Sequence, residues 1–80
     1  MNTDKIKIFL DLAESLNFSR TAQNMNITQS AVSQSISSLE RYLNTTLFYR
    51  SRKEVNLTPA GQLFYQGMQP VITQFNKAVT

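Results

Sequence analysis

Hydrophobic residues recur along this chain at helical spacing, in stretches separated by polar breaks. Near the N-terminus Ile6, Phe9, Leu10, Ala13 and Leu16 follow the i, i+3, i+4, i+7 pattern of one helical face. Asn2 or Thr3 can cap this helix, and Asp4 sits at its positive end, which predicts a first helix over about 4–15. The pattern breaks at Asn17 and Phe18. Ser19 can cap a short second helix from about Arg20 to Met25, with Ala22 and Met25 as its apolar residues and Phe18 packing beneath. Asn24 and Asn26 tolerate left-handed geometry and turn the chain before Thr28, which can cap a third helix over about 29–43.

The third helix has the clearest pattern. Val32, Ile36, Leu39 and Leu43 form one buried stripe, and Gln29, Ser30, Ser33, Gln34, Ser37 and Arg41 spread over the other side. That polar side is nearly free of carboxylates. Serine is only a fair helix former, so tertiary packing of the stripe must hold the helix. Solubility alone is ordinarily met with Glu and Lys; a serine-rich face suggests a surface that approaches something closely.

Asn44 can end this helix in the left-handed region. Residues 47–50 and 54–57 read as two short strands, with Ser51, Arg52 and Lys53 at the tip between them. Strands this short must pack on the helices to persist. Thr58 followed by Pro59 starts a fourth helix running to about 78, with Phe64, Met68, Val71 and Phe75 at heptad-like spacing and Leu63, Tyr65, Ile72 and Val79 beside them. A small domain leaves much of that surface uncovered. A second copy of the chain is the economical cover, and a helix folded back on its own domain is the alternative.

Composition narrows the chemistry. The 80 residues include no Cys and no His, which removes disulfides, thiolate sites and the commonest general base and metal ligand. Asp4, Asp11, Glu14, Glu40 and Glu54 are the only carboxylates, so catalytic and metal-binding residues and a cofactor are not expected. No apolar run approaches the ~20 residues that span a bilayer. The expectation is a binding module of the cytoplasm without membrane contact. Its net charge of +3 is unevenly placed. Lys5 and Lys7 face three acids before residue 20; Arg20, Arg41, Arg50, Arg52, Lys53 and Lys77 face only Glu40 and Glu54 after it.

A short helix, tight turn and longer helix over 19–43 form a helix-turn-helix candidate, in which the first helix braces the second for entry into the major groove. Gln and Ser match the donors and acceptors displayed there. A helical hairpin with a polar face is common in itself. The basic hairpin that follows is a second, independent signal, because cations beside a reading helix can grip phosphates or enter a narrow minor groove. The fold class predicted is mostly α: a winged helix-turn-helix of three helices and a two-stranded β-hairpin wing over 1–58, then a long C-terminal linker or dimerisation helix over 59–80.

The strings Phe18-Ser19-Arg20-Thr21-Ala22, Thr28-Gln29-Ser30-Ala31-Val32-Ser33-Gln34-Ser35-Ile36, Leu39-Glu40, Leu47-Phe48-Tyr49-Arg50 and Val55-Asn56-Leu57-Thr58-Pro59-Ala60-Gly61 closely resemble LysR-type transcriptional regulators. The resemblance covers about residues 4–75. It implies a bacterial DNA-binding module whose Gln29, Ser30, Ser33 and Gln34 face bases. Backbone or wing contacts then fall to Ser19, Arg20, Thr28, Ser37, Arg50, Arg52 and Lys53. The helix after Thr58 becomes the dimerisation helix, with Leu63, Phe64, Met68, Val71, Ile72 and Phe75 at the interface. The partners implied are double-stranded DNA, as an interrupted inverted repeat, and a second copy; a tetramer stays open for the longer regulator, whose effector-binding domain is expected to lie outside this chain. The glutamines of the third helix, its lack of Arg or Lys before Arg41 and the cationic wing predict A·T-rich half-sites. Three departures stand out. Thr21 replaces a frequent alanine, Asn44 replaces the usual glycine, and Pro70 lies inside the last helix, where a kink near 66–70 is expected. A winged helix used for protein interaction, without specific DNA readout, is the competing reading.

Overall fold

Five segments of regular structure lead into a long final helix: α1 (Thr3–Ser15), α2 (Phe18–Met25), α3 (Gln29–Leu43), β1 (Phe48–Arg50), β2 (Val55–Leu57) and α4 (Pro59–Val79). They are seen in a computed structural model that describes residues 3–79. Asn2, one of the two caps expected for the first helix, lies outside the described residues.

α1 packs against α2, α3 and α4, so its apolar surface is wider than one stripe. Ile6 and Phe9 are buried as the spacing predicts, but Ile8 and Leu12 are buried with them. Leu16, expected on the core face, is instead 39% exposed. It adopts a left-handed φ of 53° and sends its amide to the Leu12 carbonyl at 2.7 Å, which closes the helix and turns the side chain outward.

The second helix begins earlier than predicted. Asn17, not Ser19, is its cap: the extended Asn17 backbone lets the side chain accept from the Arg20 amide at 3.0 Å. Starting at Phe18 brings that ring onto the core. Thr21 is fully buried, and its hydroxyl donates to Asp11 at 2.6 Å. Ser15 Oγ lies 2.8 Å from the same hydroxyl, and Asn24 donates to both Asp11 oxygens at 3.1 and 3.2 Å. Where an alanine would only pack, Thr21 thus joins a polar seam between α1 and α2.

α3 has the predicted limits. Thr28 accepts from the Ala31 amide at 3.0 Å at its start, and Asn44, with φ 53° and ψ 46°, ends it. The turn before it closes the same way, through left-handed Asn26 with φ 58°. Val32, Ile36 and Leu39 are buried, whereas Leu43 is half-buried.

β1 and β2 pair antiparallel, Phe48 opposite Leu57 and Arg50 opposite Val55. Each strand starts one residue later than predicted. Ser51 organises the tip, its amide donating to the Glu54 carbonyl at 3.0 Å while its hydroxyl oxygen receives the Lys53 and Glu54 amides. Phe9 links the layers: its ring lies 5.5 Å from that of Phe48 and 5.0 Å, edge-on, from that of Phe64.

The wing is joined to α4 by a tight set of contacts. Buried Thr58 donates its hydroxyl to the Thr46 carbonyl at 2.7 Å and accepts the Gly61 amide at 2.9 Å, while its own amide donates to the Leu47 carbonyl at 3.0 Å. Gly61 is required here, because a Cβ would collide with the Leu47 carbonyl oxygen and come within 2.9 Å of Leu57 Cδ2. α4 then runs antiparallel to α1, Tyr65 bonding Glu14 at 2.8 Å near one end and Phe75 lying under Lys7 at 5.6 Å near the other. The helix continues through Pro70, which therefore does not terminate it.

Candidate nucleic-acid interface

The polar side of α3 is the exposed side. Gln29, Ser30 and Gln34 are exposed, and Ser33 and Ser37 are half-buried beside them. Gln29, Ser30 and Ser33 line one open hollow of about 320 Å³ together with Phe18 and Arg50. Residues from three elements thus meet there: the start of α2, the first turns of α3 and the end of β1.

Two contacts hold Arg50 in place. Its guanidinium lies 5.4 Å from the centre of the Phe18 ring and 3.2 Å from Glu40 Oε1. Glu40 is in turn anchored, since its other oxygen receives the Leu47 amide at 2.7 Å and the Phe48 amide at 3.3 Å. One carboxylate therefore fixes the root of the wing to α3 and aims the arginine at the hollow. Sequence reasoning named Arg50 but not this role of Glu40 or Phe18. The available signal was that Glu40 is the single acid of α3.

The remaining predicted residues are distributed around this centre. Arg52 and Lys53 are exposed at the tip of the wing, and Ser19 and Arg20 are exposed at the start of α2. Thr28 is occupied as the cap of α3. Gln34 does not share the hollow of Gln29; it lines a separate recess with Lys5, Ser38 and Arg41. Ser37 opens onto a third depression with Glu40, Arg41 and Asn44.

Folding contacts engage the acids more than the cations. Asp11 is held by Thr21 and Asn24, Glu14 by Tyr65, and Glu40 by Arg50 and two amides. The Tyr65 phenol is pushed up from its usual 10.0, first by donating to Glu14 and then by burial and the Glu14 charge. Around the tip of the wing and the start of α2, Arg20, Arg52 and Lys53 are exposed cations.

The α4 residues lie elsewhere and divide into two groups. Ile72 is buried and Phe64 packs on the core of its own chain. Leu63 at 70%, Val71 at 49% and Phe75 at 41% are exposed, with Met68 half-buried between them. Among the described residues no helix is long and apolar enough to cross a membrane.

Comparison with known proteins bears on this geometry. The model of a family described as bacterial regulatory helix-turn-helix protein, lysR family, matches residues 3–62. An uncharacterised HTH-type transcriptional regulator of Methanocaldococcus jannaschii is 37% identical over 70 residues, 88% of this chain and 24% of the relative. The HTH-type transcriptional regulator HdfR of Yersinia enterocolitica is 44% identical over 62 residues, 78% of this chain and 21% of the relative. This chain therefore corresponds to about a quarter or less of those proteins' length. Among solved structures, the BenM DBD in complex with catB site 1 DNA matches with a TM-score of 0.93 at 28% identity, covering 99% of this chain and 88% of that one. Vibrio fischeri DarR in complex with DNA matches with a TM-score of 0.92 at 33% identity, covering 99% and 27%.

Proposed function

The chain belongs to the LysR family of bacterial regulatory helix-turn-helix proteins, and on that premise we propose that it binds duplex DNA sequence-specifically, as the DNA-binding part of a longer transcriptional regulator. One observation carries the reading: Gln29, Ser30 and Ser33 open onto a single hollow beside an arginine locked in place by Glu40. Such side chains, on the first turns of a helix braced by α2, match the donors and acceptors of base edges in the major groove. Gln34 extends the reading face. Arg50, with Ser19, Arg20, Thr28 and Ser37 around α3 and with Arg52 and Lys53 on the wing, supplies contacts to phosphates or the minor groove. The role is binding without catalysis or a cofactor, in the cytoplasm.

Gln pairs best with adenine, and a cationic wing favours the narrow minor groove of A·T-rich DNA. No Arg or Lys occupies α3 before Arg41, so the commonest strong contact to guanine is missing from its first turns. The preferred half-sites are therefore A·T-rich, arranged as an interrupted inverted repeat. Two copies of the chain pair through the exposed part of the α4 stripe, around Leu63, Met68, Val71 and Phe75, and present two reading helices to it. The longer regulator extends this pairing to a tetramer.

Selection of bound sites from random duplexes, followed by titration across salt concentrations, tests the reading. Enrichment of A·T-rich half-sites with two-fold symmetry, bound in a steeply salt-dependent way, is the expected result. Binding that ignores both sequence and salt would instead favour a protein-interaction module.

A further inference from the structure

A helix seated in the major groove has a phosphate strand on each flank, since the groove is only about 12 Å wide and the helix about 10–12 Å across. The wing and Arg50 serve one flank of α3. Across the helix, at about 100° per residue, Gln34, Ser38 and Arg41 face the other. There Lys5 reaches over from α1, and its Nζ donates to Ser38 Oγ at 2.8 Å, a contact between residues 33 positions apart. Lys5, Ala31, Gln34, Ser35, Ser38 and Arg41 line an open recess of about 400 Å³ at this place.

We propose that this recess is a second phosphate clamp, in which Lys5 and Arg41 grip the DNA strand opposite the wing; the inference rests on the duplex-DNA reading above. Its lining holds two cations, hydroxyls and an amide but no carboxylate; Asp4 lines the neighbouring hollow beyond Ala31 and Ser35. A lysine ammonium carries three donors, and the bond to Ser38 uses one of them to orient the group over α3. Orienting the flexible side chain before binding lowers the entropy cost of the contact. Because Lys5 belongs to α1, the clamp also gives the helix behind the reading unit a direct hold on DNA. The recess adds affinity and registers α3 in the groove, and Gln29, Ser30, Ser33 and Gln34 retain the choice of base.

The test compares the wild-type chain with Lys5→Ala, Lys5→Arg and Arg41→Ala, each titrated against a preferred and a random duplex across salt concentrations. Lys5→Ala and Arg41→Ala should each lower affinity for both duplexes by the same factor, about five- to tenfold at 0.1 M salt, and reduce the logarithmic salt slope by about 0.9. Lys5→Arg should keep the wild-type slope. Replacing single phosphates by neutral methylphosphonates should locate the contact: one position on the strand away from the wing weakens the wild type and leaves Lys5→Ala unaffected. A lower affinity with an unchanged slope and no such position would mean that Lys5 merely braces α3, and would overturn the clamp. If in that case Gln29→Ala still relaxes base preference, the DNA reading survives alone. A wild-type chain that shows no salt-dependent duplex binding would overturn both.

Discussion

Glu40 and Arg50 are paired at 3.2 Å across the junction of α3 and the wing, and the same carboxylate receives the backbone amides of Leu47 and Phe48. The pair therefore couples the architecture of the wing to the placement of a cation beside the reading helix. Glu40→Ala leaves a buried amide without its acceptor and should cost about 2–3 kcal/mol in urea denaturation. Arg50→Ala removes a partly exposed ion pair and the contact with the Phe18 ring and should cost about 1 kcal/mol. Both should weaken duplex binding, and comparable stability losses would contradict the anchoring role of Glu40.

Base reading and phosphate gripping predict different signatures. Gln29→Ala should cost about 1–3 kcal/mol on the preferred site and relax selection at one base pair. Arg52→Ala should weaken most sequences alike and flatten the salt slope. A site-library measurement that finds unchanged specificity for Gln29→Ala would remove that residue from the reading face.

The two glycines of α4 should respond with opposite signs. Gly61→Ala forces a methyl group toward the Leu47 carbonyl and should destabilise the fold by about 1–3 kcal/mol. Gly67 has open space where its Cβ would lie, so Gly67→Ala should stabilise by about 0.5–1 kcal/mol through helix propensity. Thermal unfolding midpoints distinguish them directly.

Phe64 and Phe75 should likewise separate. Phe75→Asp, on the exposed part of α4, should convert a dimer to a monomer in sedimentation at tens of micromolar with helices α1 to α3 still folded. Phe64→Ala removes the edge-on partner of Phe9 and should lower stability by about 3 kcal/mol. A monomeric wild type, with a mass that Phe75→Asp leaves unchanged, would sink the pairing.

Tyr65 contributes to alkaline sensitivity. Its pKa is raised in the folded chain by Glu14, so its stabilisation is present below the unfolded value of about 10 and is lost as pH rises through the folded value. Tyr65→Phe should flatten this alkaline loss, and Glu14→Gln should lower the Tyr65 titration. Phenolate absorbance in a Tyr42→Phe, Tyr49→Phe background would report it; an unshifted titration in Glu14→Gln would refute the assignment.

Local signals made α3 legible from sequence. Its cap, its left-handed end and its Val32, Ile36 and Leu39 stripe depend on neighbours within a few positions. The misplacements came where distant elements decide. Asn17 and Ser19 are both acceptable caps, and only the turn through Leu16, which brings Phe18 onto the core, selects between them. Ile8 and Leu12 lie outside the single stripe of α1 and are buried because helices flank α1 on more than one side. At the site, Gln29, Ser30, Ser33 and Arg50 were named from their types and order. Their convergence with Phe18, the hold of Glu40 and the recess that Gln34 shares with Lys5 of α1 required three-dimensional packing.

The junction of the wing with α4 has a mechanical consequence. Thr58 ties together Thr46, Leu47 and Gly61, and Gly61 lies against the Leu47 carbonyl, so there is no slack where the long helix leaves the hairpin. α4 is then a lever built into the domain rather than a tether attached to it. At roughly 1.5 Å per residue it is about 31 Å long, and a tilt of about 10° at its root sweeps its far end through about 5 Å. Torque applied along it arrives at the wing and α3 together. Further out along the lever lies Pro70, whose ring removes a backbone hydrogen bond to the Gln66 carbonyl without ending the helix.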